Sequence, residues 1–129
     1  LAVTIQSIID NSNSKNNYDI VILTTGINSK NQMLLYTMIA KYKNFSIRIF
    51  NIGSAIYGYN FFTESSNSCT KYSNEIYFRV LVPTLMPEYD YVIFLDADLV
   101  VNADIAKLLN EDYSKSLVGA VRDYETHKI

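Results

Sequence analysis

The sequence contains little cysteine, glycine and proline, and each shortage excludes something. Cys69 is the single cysteine among 129 residues, so no internal disulfide can form and a reducing compartment such as the cytoplasm fits best. The single histidine is His127, and a Cys–His nucleophile pair is therefore disfavoured. With only 4 glycines and 2 prolines, the chain should be rich in regular helices and strands.

Long apolar runs and an excess of positive charge are also missing. No run approaches the roughly 18–20 apolar residues that span a bilayer, and no signal peptide is visible. The formal net charge of −2 gives no global positive field, so we expect no nucleic-acid partner. The chain is 49% hydrophobic and 19% charged, which is typical of a globular domain.

Both ends of the chain look cut. It begins at Leu1 without an initiator methionine, and its first residues already have the spacing of a helix, with Ile5, Ile8 and Ile9 on one face. The closing stretch LVGAVRDYETHKI stops shortly after a strand-like run. We therefore expect residues 1–129 to be a single, partial domain of a longer protein.

Helix-like and strand-like segments alternate along the chain. Apolar spacing predicts helices over residues 1–10, 31–43 and 71–81, and strands over residues 18–25, 45–52, 91–95 and 117–121. We expect Ser29 to cap the second helix, and Asn102 or Asp104 to cap a short helix that ends near Leu109. This alternation predicts an α/β fold with a mostly parallel sheet flanked by helices.

The most apolar predicted strand ends at two aspartates, in the stretch YVIFLDADLVV. Ligand sites in parallel α/β sheets lie beyond the carboxyl ends of the strands, where we expect Asp96 and Asp98. Residues i and i+2 of extended backbone point to the same side, so the two carboxylates can converge. A divalent cation would relieve their repulsion, which favours a metal site. The alternative is that Asp98 and Asp104 cap a turn and a helix while Asp96 is solvated.

A D-x-D sequence after an apolar strand occurs in two classes of enzyme. In the haloacid dehalogenase-like phosphatases, Asp96 would be the nucleophile and Asp98 the general acid. In the nucleotide-sugar glycosyltransferases, both aspartates would hold a metal on the donor diphosphate. In the phosphatases the D-x-D motif lies on the first strand. In this chain residues 1–95 precede the D-x-D motif and include two predicted strand–helix units. Its position therefore favours the glycosyltransferases and leaves the phosphatases as the alternative.

A longer segment, YFRVLVPTLMPEYDYVIFLDADLVVNADIAKLL, resembles glycosyltransferase family 8. This retaining family includes lipopolysaccharide glucosyl- and galactosyltransferases and glycogenin. The shared features are an aromatic-x-Arg helix, a proline-bounded link, Tyr-Asp before the strand, Leu-Asp-x-Asp, and Asn-x-Asp before a leucine-rich helix. The opening LAVTIQSIIDN also resembles the family's first helix, where a small-polar pattern is common.

The resemblance implies a GT-A-like, Rossmann-like fold that is incomplete here, a Mn²⁺ or Mg²⁺ cofactor and a UDP-hexose donor. Asp96 and Asp98 would be the metal ligands that bridge to the diphosphate, and Ala97 between them would lie near the ribose. Arg79 would contact the donor, since a guanidinium presents a planar fork of hydrogen-bond donors to oxygens. Asp123, beyond the last predicted strand, would lie near the sugar or the acceptor.

By this resemblance the parent protein would be a metal-dependent retaining hexosyltransferase with a saccharide, lipopolysaccharide or protein acceptor. The family's first strand, its histidine metal ligand and its Gly- and Lys-containing phosphate segment find no counterpart, and His127 is not equated with that ligand. We therefore expect little activity from these residues alone. The parent would be cytoplasmic, with peripheral membrane association through C-terminal segments. A non-catalytic relative that keeps the fold for binding is a third interpretation.

Overall fold

A computed structural model describes residues 1–53, 78–113 and 115–120. Within these residues the elements are two strands, three α-helices and one 3-10 helix: α1 (Ala2–Asp10), β1 (Tyr18–Thr24), α2 (Ser29–Ile39), β2 (Phe45–Asn51), α3 (Phe78–Leu85) and the 3-10 helix (Ile105–Asn110). The predicted alternation of helices and strands is thus confirmed up to the end of β2. Among the described helices, none is long and apolar enough to cross a bilayer.

The two strands form a parallel pair. Tyr18 lies opposite Phe45 at one end of the pair, and Thr24 lies opposite Asn51 at the other. Parallel neighbours need a crossover connection, and α2 supplies it. Both strands are rich in isoleucine, whose branched side chain packs well on a pleated surface. The predicted parallel α/β architecture is confirmed.

One face of the sheet carries the main core. Alternate strand residues meet α1 and α2 there in one buried cluster: Ile5, Ile8, Ile9, Tyr18, Ile22, Leu35, Ile39, Phe45 and Ile47. Ile5 is only 1% exposed, which confirms the apolar face predicted for α1. The rings of Tyr18 and Phe45 stack across the strand pair with centroids 4.8 Å apart. This cluster fixes α1 against the sheet.

Helix α3 packs against the opposite face. Leu23 alternates with the core-facing residues of β1, and it lies with Ile52 against Phe78 and Leu81 in a second buried cluster. The sheet therefore has helices on both of its faces, as expected for a parallel α/β layer structure.

A polar cluster lies on the same face, nearer the amino ends of the strands. Asp19 forms an ion pair with Arg48 and accepts a hydrogen bond from Ser46 Oγ at 2.7 Å. Arg48 also donates to the hydroxyl of Tyr89 at 2.6 Å. Burial raises the pKa of Asp19, but the bonds from Arg48 and Ser46 outweigh it and hold this pKa below its ordinary value. The cluster ties the segment after α3 to the sheet.

Two helices differ from their predicted bounds. The N-cap of α2 is Asn28 rather than Ser29, because the Asn28 side chain accepts a hydrogen bond from the amide of Asn31, and α2 ends at Ile39 instead of near residue 43. Helix α3 continues to Leu85 with Pro83 inside it, although the prediction ended at residue 81. Pro83 has no backbone N–H and so cannot donate a helical hydrogen bond. The burial of Phe78 and Leu81 on α3 offsets the loss of that bond. The predicted part of this helix before residue 78 lies outside the described residues.

Two predicted strands are wrong within the described residues. Residues 91–95 form no ladder with either strand of the described sheet, and Tyr91 is 60% exposed there. Residues 117–120 are irregular as well, and Leu117 is fully exposed; Val121 lies outside the described residues. A strand requires a hydrogen-bonded neighbour, and an apolar composition does not show whether that neighbour is present.

Candidate metal and donor site

The D-x-D turn, which we define as residues 96–98, follows the irregular segment 91–95. Leu95 and Val101, before and after the turn, pack against the main core and anchor it at both ends. Asp96, Ala97 and Asp98 are all exposed, so both carboxylates are open to a ligand from solvent. Ala97 and Asp98 lie in a turn rather than in extended backbone, so the alternation from which we predicted convergence does not apply.

Arg79, on α3, reaches the first aspartate of this turn. Its Nη2 lies 3.1 Å from Oδ1 of Asp96, and the two side chains are 49% and 59% exposed. The same guanidinium lies over Phe94, 5.2 Å from the ring centroid. Exposed ion pairs add little to folding stability. This pair matters because it places the guanidinium of Arg79 beside the D-x-D turn. It brings the arginine expected at the donor to the D-x-D turn.

Polar side chains of α1 contact the backbone of the same segment. Thr4 Oγ1 donates to the carbonyl oxygen of Ala97 at 2.9 Å. Ser7 Oγ accepts a hydrogen bond from the amide of Val101 at 2.9 Å, and Asn11 Nδ2 donates to the Val101 carbonyl oxygen at 2.9 Å. Thr4 and Ser7 are buried, with 4% and 9% exposure. The sequence assigned no role to these three residues, although small polar side chains spaced along an apolar helix were a visible signal.

Asp104 anchors the chain after the turn. Its Oδ1 accepts hydrogen bonds from the Tyr18 hydroxyl at 2.7 Å and from the amide of Ala106 at 3.0 Å. The second bond makes Asp104 the N-cap of the 3-10 helix, which confirms one of the two predicted caps and leaves Asn102 without that role. Because Tyr18 belongs to the main core, the carboxylate of Asp104 links this helix to the sheet.

Asp96 and Asp98 are the two residues of the turn whose carboxylates could hold a divalent cation. No group of three or more His, Cys, Asp and Glu side chains that could hold a metal occurs among the described residues. Mg²⁺ usually takes one or two carboxylates and completes its shell with water and phosphate oxygens, and Mn²⁺ accepts the same ligand types. The two aspartates therefore fit a cation that is shared with a phosphate-bearing ligand, and they do not form a closed structural metal site.

The structure brings part of the predicted site together. Arg79 contacts Asp96, and Asp98 lies in the same exposed turn. Asp123 lies outside the described residues, as do Cys69 and His127.

Comparison with known proteins adds one finding. The family model described as glycosyl transferase family 8 matches residues 1–129, which include both α1 and the D-x-D turn. No curated protein and no solved structure matches the chain.

Proposed function

The chain belongs to glycosyl transferase family 8, and on this basis we propose that it is part of a metal-dependent enzyme that transfers a hexose from a UDP-sugar. Family membership supports glycosyl transfer from a sugar donor to an acceptor, and it favours this activity over the phosphatase interpretation. The metal, the UDP-hexose and retention of the anomeric configuration are the proposed details.

The observation that carries the proposal is the contact between Arg79 and Asp96 at an exposed turn that also contains Asp98. A guanidinium binds phosphate oxygens through two parallel hydrogen bonds, and a pair of carboxylates binds a divalent cation. A nucleoside diphosphate with a bridging cation offers a partner to each of these groups. A neutral sugar would offer hydroxyl hydrogen bonds to these groups but no opposite charge.

The proposed mechanism follows from the charge that develops during transfer. Cleavage of the bond between the sugar and the diphosphate builds negative charge on the departing phosphate. A divalent cation held at the turn would supply Lewis-acid stabilisation of that charge. Asp96 and Asp98 would hold the cation, while Arg79 would orient the diphosphate and place a positive charge beside it. Ala97, between the two aspartates, would lie near the ribose.

The same proposal covers the domain, the acceptor and the location of the parent protein. Residues 1–129 would form part of one nucleotide-sugar-binding domain, and Asp123 would lie near the sugar or the acceptor. The acceptor would be a saccharide, a lipopolysaccharide or a protein. The parent would be cytoplasmic, which suits a chain with a single cysteine. Peripheral association at the inner face of the membrane is what the family resemblance implies.

Isothermal titration with UDP, in the presence and absence of Mn²⁺, tests the proposal. We expect binding that requires Mn²⁺ and that weakens about tenfold or more in Asp98→Ala, because a ligand of the bridging cation is lost. Arg79→Lys should also weaken binding, because it keeps the charge but loses the planar fork. Asp90→Asn, which removes an exposed carboxylate before the turn, serves as the control.

Binding of UDP that ignores both Mn²⁺ and Asp98→Ala would refute the proposed site. Hydrolysis of a generic phosphomonoester that is lost in Asp96→Asn would instead support the phosphatase interpretation.

A further inference from the structure

We propose that the polar face of α1, formed by Thr4, Ser7 and the C-cap residue Asn11, is a positioning element of the D-x-D turn. These side chains set the backbone path on both sides of Asp98 and thereby set the affinity of the turn for a divalent cation. The part that concerns cation affinity rests on the function proposed above. The effect on the backbone can be measured without any ligand.

All three side chains bind main-chain atoms of the segment. Their hydrogen bonds reach the Ala97 carbonyl, the Val101 amide and the Val101 carbonyl, each at 2.9 Å. The contacted atoms lie on either side of Asp98, so the chain is held before and after this residue. A restraint on the backbone restricts the positions that the carboxylate can reach.

The polar face is itself ordered by bonds within α1. Ser7 Oγ donates to the Thr4 carbonyl oxygen at 2.8 Å, which directs an oxygen lone pair toward the Val101 amide. Asn11 Nδ2 also donates to the Ser7 carbonyl oxygen at 3.0 Å. Thr4 and Ser7 are buried, so water competes little for their hydrogen bonds. The three residues therefore present a prearranged set of donors and an acceptor.

The turn needs such support because no strand ladder holds it. Residues 91–101 pair with neither strand of the described sheet, and residues 96–100 are exposed. Two like charges in an exposed turn favour conformations that separate them. Hydrogen bonds that orient metal ligands commonly change metal affinity by about tenfold or more when they are removed. Leu95 and Val101 anchor the segment to the main core, and the polar face of α1 holds the backbone between them.

Amide hydrogen exchange, measured by NMR on the whole chain without ligand, tests the hold on the backbone. Ser7→Ala should accelerate exchange at Val101 by about tenfold, because the Val101 amide loses its acceptor, while β1 and β2 keep their protection. Thr4→Val removes a donor to the Ala97 carbonyl, so it should instead shift the amide resonances of the turn, and Thr4→Ser, which retains a hydroxyl, should restore them. Thr37→Val is the matched control, because the Thr37 hydroxyl donates to the Met33 carbonyl within α2 and does not reach the turn.

Titration with Mn²⁺ on the same variants tests the consequence for the site. Thr4→Val should weaken Mn²⁺ binding about tenfold, and Thr4→Ser should recover most of the affinity. A purely structural role would lower the urea midpoint of Thr4→Val while the folded variant binds Mn²⁺ as wild type does.

The outcomes separate this inference from the proposed function. Exchange at Val101 that rises no more in Ser7→Ala than in Thr37→Val, together with turn resonances that Thr4→Val leaves unchanged, would overturn the inference. Faster exchange together with unchanged Mn²⁺ affinity would overturn its claim about the aspartates. A wild-type chain that binds no Mn²⁺ would contradict the proposed metal site and the affinity claim, and the exchange result alone would then decide the hold on the backbone.

Discussion

The two described parts of the molecule are stabilised in different ways. Residues 1–53 contain α1, α2 and both strands, and they supply every buried residue of the main core. Residues 78–120 contain α3 and a 3-10 helix, and several of their large apolar side chains are exposed, such as Tyr91 and Val100 at 60% and 61%. The first part is held by its own core. The second is held by contacts to the first, which are apolar at α3, Leu95 and Val101 and polar around the D-x-D turn.

The candidate site divides along the same line. The exposed charged groups belong to the second part, whereas Thr4, Ser7 and Tyr18, which hold the chain around them, belong to the first. This difference shows that a well-packed scaffold can position exposed ligand-binding groups without including them in its core. Substitutions can therefore be chosen to affect the scaffold, the link between the parts, or a surface contact.

The largest effect should come from the core of the first part. Ile5→Ala removes the most deeply buried side chain of the main cluster and should lower the free energy of unfolding by about 2–5 kcal/mol. Val3→Ala, on the same helix but 66% exposed, should change it by less than about 0.5 kcal/mol. Urea unfolding followed by circular dichroism measures both. Similar losses in the two variants would show that α1 is not fixed by the main core.

An intermediate effect should come from the bond that links the two parts. Tyr18→Phe removes the hydroxyl that donates to Asp104, and we expect a loss of about 1–3 kcal/mol in the free energy of unfolding. Asp104→Asn on its own and together with Tyr18→Phe completes a double-mutant cycle. A coupling energy of about 0.5 kcal/mol or more would confirm the link. Additive effects would mean that the 3-10 helix is held by other contacts.

The smallest effect should come from the exposed pair of Asp19 and Arg48, and it should depend on pH. The pKa of Asp19 in the folded state is lowered from its ordinary value of 3.8, so the folded state binds a proton less readily than the unfolded state. The stabilisation is therefore complete above the unfolded pKa, and it is lost as the pH falls through the lower folded pKa.

Urea midpoints of wild type and Asp19→Asn, measured from about pH 6 downward, test this sign. Wild type should be more stable at the upper end, and its advantage should shrink below the ordinary pKa of Asp19. An advantage that stays constant over this range would show that the pair makes no ionic contribution.

The sequence predicted the first part well because its signals are local. Apolar spacing marked α1, and β-branched runs marked β1 and β2, which α2 connects directly. Residues 91–95 carried the same apolar signal, yet a strand depends on a neighbour that composition does not reveal. The cap at Asn28 was placed one residue too late, since Asn and Ser are both good N-caps.

The candidate site was predictable only in part. Asp96 and Asp98 stood out as adjacent charges after an apolar run, while Arg79 was assigned through family resemblance because an exposed helix arginine has no local signal. The partners of Thr4, Ser7 and Asn11 lie 93, 94 and 90 residues away, so no window of sequence could connect them. Contacts between segments that are distant in the sequence could not be predicted from local patterns.

The central proposal is that Asp96 and Asp98 hold the divalent cation of a nucleotide-sugar site. The most direct test is electron paramagnetic resonance of Mn²⁺ titrated into wild type, into the double variant Asp96→Asn/Asp98→Asn and into Asp90→Asn, each with and without UDP. We predict Mn²⁺ binding that UDP strengthens in wild type and in Asp90→Asn, and no such binding in the double variant. A double variant that binds Mn²⁺ and UDP as wild type does would contradict the account.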